Sequence, residues 1–196
     1  TYSSLTAGFN LEAKVIARPI LDEHNVLHLG VAPLFTHSTG SNTFKGNAPT
    51  TIGTNTIITS DALDGNMLRY EVEAIFITGR LYTEARFLGA QVNTPGEDNY
   101  SVDGVWAQAG FLLKGDQQKY NKATGNAAHP GPKSLELLAR FDHLNLNGDQ
   151  KLNDITVGLN YVFNKYLISK LNWAHGKQKD AEEGYNFIHC RLQFVF

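Results

Sequence analysis

The sequence predicts an all-β protein, a transmembrane antiparallel β-barrel, and three observations support that fold class. Apolar and polar residues alternate along nine segments, as they do in strands with one apolar and one polar face. The connections alternate between short turns and long polar stretches, which is typical of transmembrane barrels. Aromatic residues fall near both ends of the segments, where a barrel in lipid carries its aromatic girdles. A soluble sandwich would instead place its large rings in the centre of the core.

The composition fits one domain over residues 1–196 and excludes some classes of protein. A hydrophobic fraction of 42% can bury a core, and a net charge of -2 points to neither nucleic acid nor an anionic surface. The single cysteine, Cys190, cannot form an intrachain disulfide and is expected to be a small buried hydrophobe. No apolar run approaches the roughly 20 residues of a membrane helix, which leaves a barrel open. Because the chain starts at Thr1 without a signal peptide, we expect a processed chain or a fragment.

The first four segments each show the alternation of a strand. Their apolar sides consist of Phe9, Leu11, Ala13, Val15 and Ala17, of Leu27, Leu29, Val31 and Phe35, of Leu68, Tyr70, Val72, Ala74 and Phe76, and of Leu81, Ala85 and Phe87. Their polar sides include Asn10, Glu12, Lys14, Arg18, Arg69, Glu71, Glu73, Tyr82, Glu84 and Arg86. Pro33 interrupts the second segment and predicts an edge or a bulge, because proline cannot donate a ladder hydrogen bond.

The other five segments repeat the pattern to the C-terminus, and none reads as a helix. Their apolar sides consist of Val105, Ala107, Ala109, Phe111 and Leu113, of Leu135, Leu137, Ala139 and Phe141, of Ile155, Val157, Leu159, Tyr161 and Phe163, of Leu167, Leu171 and Trp173, and of Ile188, Cys190, Leu192, Phe194 and Phe196. Their polar sides include Trp106, Gln108, Lys114, Glu136, Arg140, Asp142, Thr156, Asn160, Lys170, Asn172, His189, Arg191 and Gln193. Bacterial single-chain barrels have even strand numbers, so about nine strands here imply strands outside this sequence or one unrecognised strand.

The predicted connections define a short-turn end and a long-loop end. The short turns are residues 19–25, 79–80 and 164–165, and the long stretches are residues 36–66, 91–104, 143–153 and 175–185. Residues 115–133 are an exception, since they form a long connection at the short-turn end.

Charged residues in the middle of the polar sides are the candidates to line a water-filled pore. These candidates are Lys14, Arg18, Arg69, Arg86, Lys114, Arg140, Lys170, Arg191, Glu71, Glu73, Glu84 and Glu136. The carboxylates on the polar sides, which also include Glu12, Asp142 and Asp154, are nearly equal in number to these cations. A network of cross-strand ion pairs that stiffens the wall is therefore the alternative, and in a soluble protein the same charges would form the outer surface.

Several stretches together carry a resemblance to a known family. GVWAQAGFLLKGDQQKY, LELLARFDHLNLN, NDITVGLNYVFNKY and RLQFVF resemble, in order and spacing, the C-terminal part of the phosphate-selective porin O and P family. RPILDEHNVLHLG and LRYEVEAIFITGRLYTEARF look like the preceding strands of that family. The resemblance covers most of this chain and about the second half of a typical member. A long connection before the ELLARF strand is also a family feature, which accounts for residues 115–133.

The resemblance implies a 16-stranded barrel in the outer membrane of a Gram-negative bacterium, surrounded by lipid and lipopolysaccharide. It implies a homotrimer with a constriction loop in each pore, and passive diffusion of small anions such as phosphate. The decisive basic cluster of the family would then lie outside this sequence. Leu192, Phe194 and Phe196 resemble the C-terminal signal that the barrel assembly machinery reads.

The same residues are compatible with other functions. A general non-specific porin fits equally well, and a small closed barrel serving as an anchor or adhesin would need an even strand number within this chain. No enzyme is predicted, because the histidines lack metal-ligand spacing and a nucleophile motif, and His143 and His175 are expected to be solvated loop residues. Residues 97–104 and 145–154 contain acidic and amide groups but lack the full pattern of a calcium loop, so loop calcium stays an open alternative and no metal or other cofactor is predicted.

Overall fold

A computed structural model describes residues 8–38, 40–48, 56–179 and 181–194, and these residues form an all-β fold. The strands are β1 (Phe9–Glu12), β2 (Val15–Leu21), β3 (Asn25–His37), β4 (Lys45–Asn47), β5 (Thr56–Thr59), β6 (Asn66–Thr78), β7 (Leu81–Asn93), β8 (Tyr100–Lys114), β9 (Lys119–Asn121), β10 (Asn126–Ala128), β11 (Ser134–Leu146), β12 (Gln150–Asn164), β13 (Leu167–Gln178) and β14 (Tyr185–Phe194). No helix in these ranges is long and apolar enough to cross a membrane.

One antiparallel sheet contains ten of the strands, in the order β1, β3, β6, β7, β8, β11, β12, β13, β14, with β2 also paired to β3. β1 and β2 follow one another along the same edge of β3, where Phe9 pairs with His37 and Leu21 with Val26. The strands of the large sheet therefore correspond to the nine predicted segments, and the prediction of an all-β antiparallel fold is confirmed. Within the described residues the sheet is open, with β1 and β2 on one edge and β14 on the other.

The predicted apolar side of every segment is the exposed face of the sheet, which we call the outward face. Leu11 is 69% exposed, Ile188 is 73% exposed, and the large side chains of the intervening strands, such as Val72 and Phe111, are exposed as well. A soluble sheet buries this face, whereas a sheet in lipid exposes it. Cys190 is exposed on the same face, so the expectation of a buried thiol is wrong for the same reason.

The strands run further at the long-loop end than the sequence predicts, which shortens three connections to residues 94–99, 147–149 and 179–184. The alternation inverts there, with Asn145 and Asn153 on the outward face and the buried Leu146 and Leu152 on the inward face. A strand that extends beyond an apolar environment no longer needs outward apolar residues. The alternation therefore stops before the strand does and does not predict where the strand ends. The predicted loop at residues 143–153 is a three-residue turn, in which Asn147 and Gly148 have φ of 51° and 85°.

His143 and His175 are consequently strand residues of β11 and β13, and the expectation that they lie in loops is wrong. The remaining strands form two hairpins, β4 with β5 and β9 with β10, each inside a long connection. At the long-loop end, Ile58 of β5 packs with the buried Met67, Val92 and Leu146 of the large sheet. This connection therefore covers part of the inward face.

Residues 115–133, which we call the inner loop, cover the inward face at the opposite, short-turn end. Tyr120 of β9 and Ala127 of β10 pack against a buried cluster on β3, β6 and β7. That cluster consists of Val26, Ile75, Ile77 and Tyr82. The inward face is thus apolar beneath both connections and charged between them.

Candidate functional site

The middle of the inward face contains a dense cluster of charges around Glu73, whose side chain is 2% exposed. Lys14 Nζ lies 2.6 Å and His28 Nε2 lies 3.0 Å from Glu73 Oε1, and Arg86 Nη1 lies 3.1 Å from Oε2. Gly30 is the cross-strand partner of Glu73, and a Cβ at Gly30 would fall 2.5 Å from Oε1. Glycine is therefore required there to make room for the carboxylate.

Arg86 extends this cluster to two more carboxylates on β6 and β7. Its Nη1 lies 2.9 Å from Glu71 Oε1, and its Nε lies 2.9 Å from Glu84 Oε1. The residues Lys14, His28, Glu71, Glu73, Glu84 and Arg86 are called the Glu73 cluster. Since each cation in it already contacts a carboxylate, this part of the wall matches the ion-pair network that the sequence left as an alternative.

The inner loop is fastened to the wall by side chains from several strands. Arg18 Nε donates to the hydroxyl of Tyr120 at 3.0 Å, and Nη2 of the same arginine donates to the Lys122 carbonyl at 3.1 Å. The His28 ring, which is 0% exposed, places Nδ1 2.5 Å from that tyrosine hydroxyl. Gln118 Nε2 donates to Glu136 Oε1 at 2.6 Å. The loop is therefore held against β2, β3 and β11 rather than standing free.

A cavity of about 480 Å³ lies between the inner loop and the wall formed by β7, β8, β11, β12 and β13. Arg140 and Lys170 line it from the strands, and His129 lines it from the inner loop. The carboxylate of Glu136 and uncharged polar side chains, among them Gln108 and Asn160, complete the lining. A polar cavity with cations on one side can accept a small hydrated anion.

The cations at this cavity differ in their partners. Arg140 Nε donates to Asp142 Oδ2 at 2.7 Å, and its guanidinium lies 4.3 Å from the centre of the Trp106 ring. Lys170 pairs across the β13–β14 ladder with Arg191, and no carboxylate of the described residues lies within 4.0 Å of either. Like charges directly opposite on a ladder are destabilising. Two adjacent cations that form no ion pair within the described residues therefore mark a place that favours an anion.

Glu136, a predicted pore residue, does not neutralise these cations through an ion pair. Its Oε1 accepts from Gln118, and its Oε2 accepts from Asn160 Nδ2 at 3.1 Å. The carboxylate accepts from neutral amides, so it keeps its negative charge and lines the same cavity as Lys170 without forming an ion pair with it.

Three further predicted residues have distinct placements. Arg69 lies on the inward face and donates to Thr36 Oγ1 at 3.2 Å. Lys114 is exposed and pairs with the outward Leu135 next to a register shift, so the alternation that placed it on the pore wall is broken there. Of the predicted assembly signal, Leu192 and Phe194 lie exposed on the outward face of β14, and Phe196 lies outside the described residues.

Sequence reasoning missed the residues that join the wall to the inner loop. His28 falls on the inward side of β3 by the same alternation, and that parity was the available signal. Tyr120 and His129 lie in an aperiodic stretch, where no pattern could assign a face. No cluster of three His, Cys, Asp or Glu side chains suited to a metal ion occurs in the parts of the chain that the structure describes.

We expect acid to loosen the inner loop through His129. Burial lowers the pKa of this histidine from its ordinary value of 6.5, Lys170 lowers it further, and Glu136 opposes the shift. Below about pH 6.5 the open loop binds a proton that the closed loop resists, so the stability that the closed loop has at neutral pH falls with pH. Amide hydrogen exchange of residues 115–133, corrected for intrinsic rates, should be faster at pH 5.5 than at pH 7.5.

The replacement His129→Gln is the matched variant, since glutamine keeps polarity and removes the titration. Its inner loop should exchange at similar corrected rates at both pH values. Residues 94–99, at the other end of the sheet, serve as the internal reference. If the glutamine variant kept the acid-induced acceleration, a group other than His129 would have to be responsible.

The family model described as phosphate-selective porin O and P matches residues 6–196, which is nearly the entire sequence. None of the curated proteins compared with the chain matches it.

Proposed function

Because this chain belongs to the phosphate-selective porin O and P family, we propose that it forms the wall of a channel for passive diffusion of small anions such as phosphate. The family is one of bacterial outer-membrane porins, which implies a channel rather than an enzyme. The exposed apolar outward face then contacts lipid, and the charged inward face contacts water.

Within the described residues Lys170 and Arg191 form no ion pair, and this observation supports an anion as the solute. Their side-by-side placement costs free energy in the empty wall, and an anion between them relieves that repulsion. Arg140 and His129 line the same cavity, so an anion would meet further hydrogen-bond donors there. A phosphate could exchange part of its hydration for these donors, which is how a wide pore discriminates between solutes.

Closure of the barrel belongs to the same proposal. The outer edges of β1, β2 and β14 have no strand partner in the described residues, and open sheet edges are not stable in hydrocarbon. We propose that further strands complete a barrel of 16, that three barrels associate, and that the barrel assembly machinery inserts them. The lumen would then be narrowed by the inner loop, which the structure already holds against the wall.

A general non-specific porin is the second candidate. The Glu73 cluster favours it, because the cations there already contact carboxylates and would select weakly between ions. The two candidates differ in what phosphate does to the current of other anions.

The test is the reversal potential of the purified native protein in a planar bilayer under a potassium chloride gradient. We expect a potential on the anion-selective side and a chloride current that added phosphate reduces, because both anions compete for the same cations. A potential near zero without phosphate block would favour the general porin. The absence of any conductance would contradict both and would favour an anchor or adhesin.

A further inference from the structure

At the long-loop end of the outward face, a histidine follows an aromatic residue by two positions on three strands. The three pairs are Phe35 and His37, Phe141 and His143, and Trp173 and His175. Each ring places Nδ1 against the side-chain oxygen of an asparagine on the next strand. The distances are 2.7 Å for His37 and Asn66, 2.7 Å for His143 and Asn153, and 3.0 Å for His175 and Asn186.

This arrangement fixes which ring nitrogen can meet a ligand. The amide oxygen of asparagine only accepts hydrogen bonds, so Nδ1 carries the hydrogen. The other nitrogen, Nε2, is left for a group outside the sheet. The same histidine and asparagine pair recurs on β3, β11 and β13. It is therefore a feature of the long-loop end of the outward face and not of a single local contact.

Two lysines add charge at this level on one part of the face. Lys177 pairs in register with Asn153, and Lys151 pairs with Asn145, so both share the outward face with His143 and His175. We call His143, Lys151, His175 and Lys177 the outer basic patch. Asp103 is the carboxylate that the described strands place on the outward face at this level. It lies on β8, where it pairs with Asn145, and is not part of the patch.

Directly below the patch, the same strands become apolar. One row across the sheet consists of Ala139, Val157, Trp173 and Ile188. Trp173 and Ile188 are 45% and 73% exposed, so apolar surface and basic surface adjoin without a protein group between them. A ligand matching both must carry an apolar body and a negatively charged head.

We propose that the outer basic patch binds the phosphate groups of the glycolipid in the outer leaflet, with the acyl chains against the apolar row. The proposal rests on the proposed function for the placement of the sheet in a membrane. Lysines near a membrane surface attract anionic headgroups, and the histidines and asparagines supply hydrogen bonds at the same depth. Free phosphate would match the lysines but would leave the apolar row without a partner.

The test is native mass spectrometry of the purified full-length protein in detergent, with a diphosphorylated lipid A and its dephosphorylated counterpart as probes. The variant combines His143→Gln, Lys151→Gln, His175→Gln and Lys177→Gln. We expect about tenfold less retention of the phosphorylated lipid and unchanged retention of the dephosphorylated one. The control Lys165→Gln removes an exposed lysine at the short-turn end and should change neither.

Other results would overturn the proposal in recognisable ways. Equal retention of both lipids by the native protein would show that the patch does not recognise the phosphate groups. Displacement of the lipid by millimolar inorganic phosphate would favour a free anion instead. A variant that retains the lipid but loses its oligomeric state would assign the patch to contacts between copies of the chain. Conductance measured on the same samples distinguishes these outcomes from a failure of the proposed channel.

Discussion

Replacing both Lys170 and Arg191 by glutamate is expected to reverse the ion selectivity of the channel. The double change removes two neighbouring positive charges from the wall of β13 and β14 and adds two negative ones. Neither cation forms an ion pair within the described residues, although Glu136 lines the same cavity as Lys170. Replacing two positive charges by two negative ones should therefore dominate the local potential. The reversal potential in a potassium chloride gradient should change sign, and phosphate should no longer reduce the current.

The control for this prediction places the same charge change outside the pore. Lys165→Glu in the turn between β12 and β13, combined with Lys177→Glu on the outward side of β13, should leave the sign of the potential unchanged. The pair Lys170→Gln and Arg191→Gln should give an intermediate, weakly selective channel. If the double glutamate variant stayed anion-selective, selectivity would have to be set elsewhere in the barrel, and the proposed role of this cation pair would be lost.

Much of the fold could be predicted because strand parity is a local property. Leu11, Val72 and Ile188 each lie on the outward face that the alternation assigned to them, and the sequence needs no distant contact to specify this. The strand ends were less visible, since at Asn145 and Asn153 the strand continues while the polarity of its two faces inverts. Hydrophobic periodicity reflects the environment of the side chains. It therefore stops where a strand leaves lipid, although the backbone hydrogen bonds to the neighbouring strands continue.

The site could be predicted only in part for a related reason. Parity placed Glu73 and Arg86 inward, but their contact depends on register between β6 and β7, which alternation does not encode. A register shift also moved Lys114 out of step with the wall. The inner loop has no periodicity at all, and its position follows from distant partners such as Arg18. Among the described residues, the cations of the Glu73 cluster contact carboxylates whereas Lys170 forms no ion pair, and this difference was likewise visible only in three dimensions.

Replacing Glu73 by glutamine should be the most destabilising conservative change in the wall, by about 3 kcal/mol. Glutamine fills the same space opposite Gly30, so packing is kept and the effect isolates the charge. Lys14 and Arg86 would each lose a carboxylate that is buried, where removal of one partner of an ion pair is costly. Urea unfolding in lipid vesicles, followed by tryptophan fluorescence, measures the loss.

The matched control is Glu71→Gln, on the same strand and two residues away. Its side chain is 24% exposed, and its ion pair within the described residues is with Arg86, so we expect a loss of about 1 kcal/mol. Equal losses in the two variants would show that burial of Glu73 does not set its contribution. Because His28 links Glu73 to Tyr120, the Glu73 variant should also accelerate hydrogen exchange in the inner loop, while the Glu71 variant should not. That difference would separate a wall residue that stiffens one strand pair from one that also positions the loop within the pore.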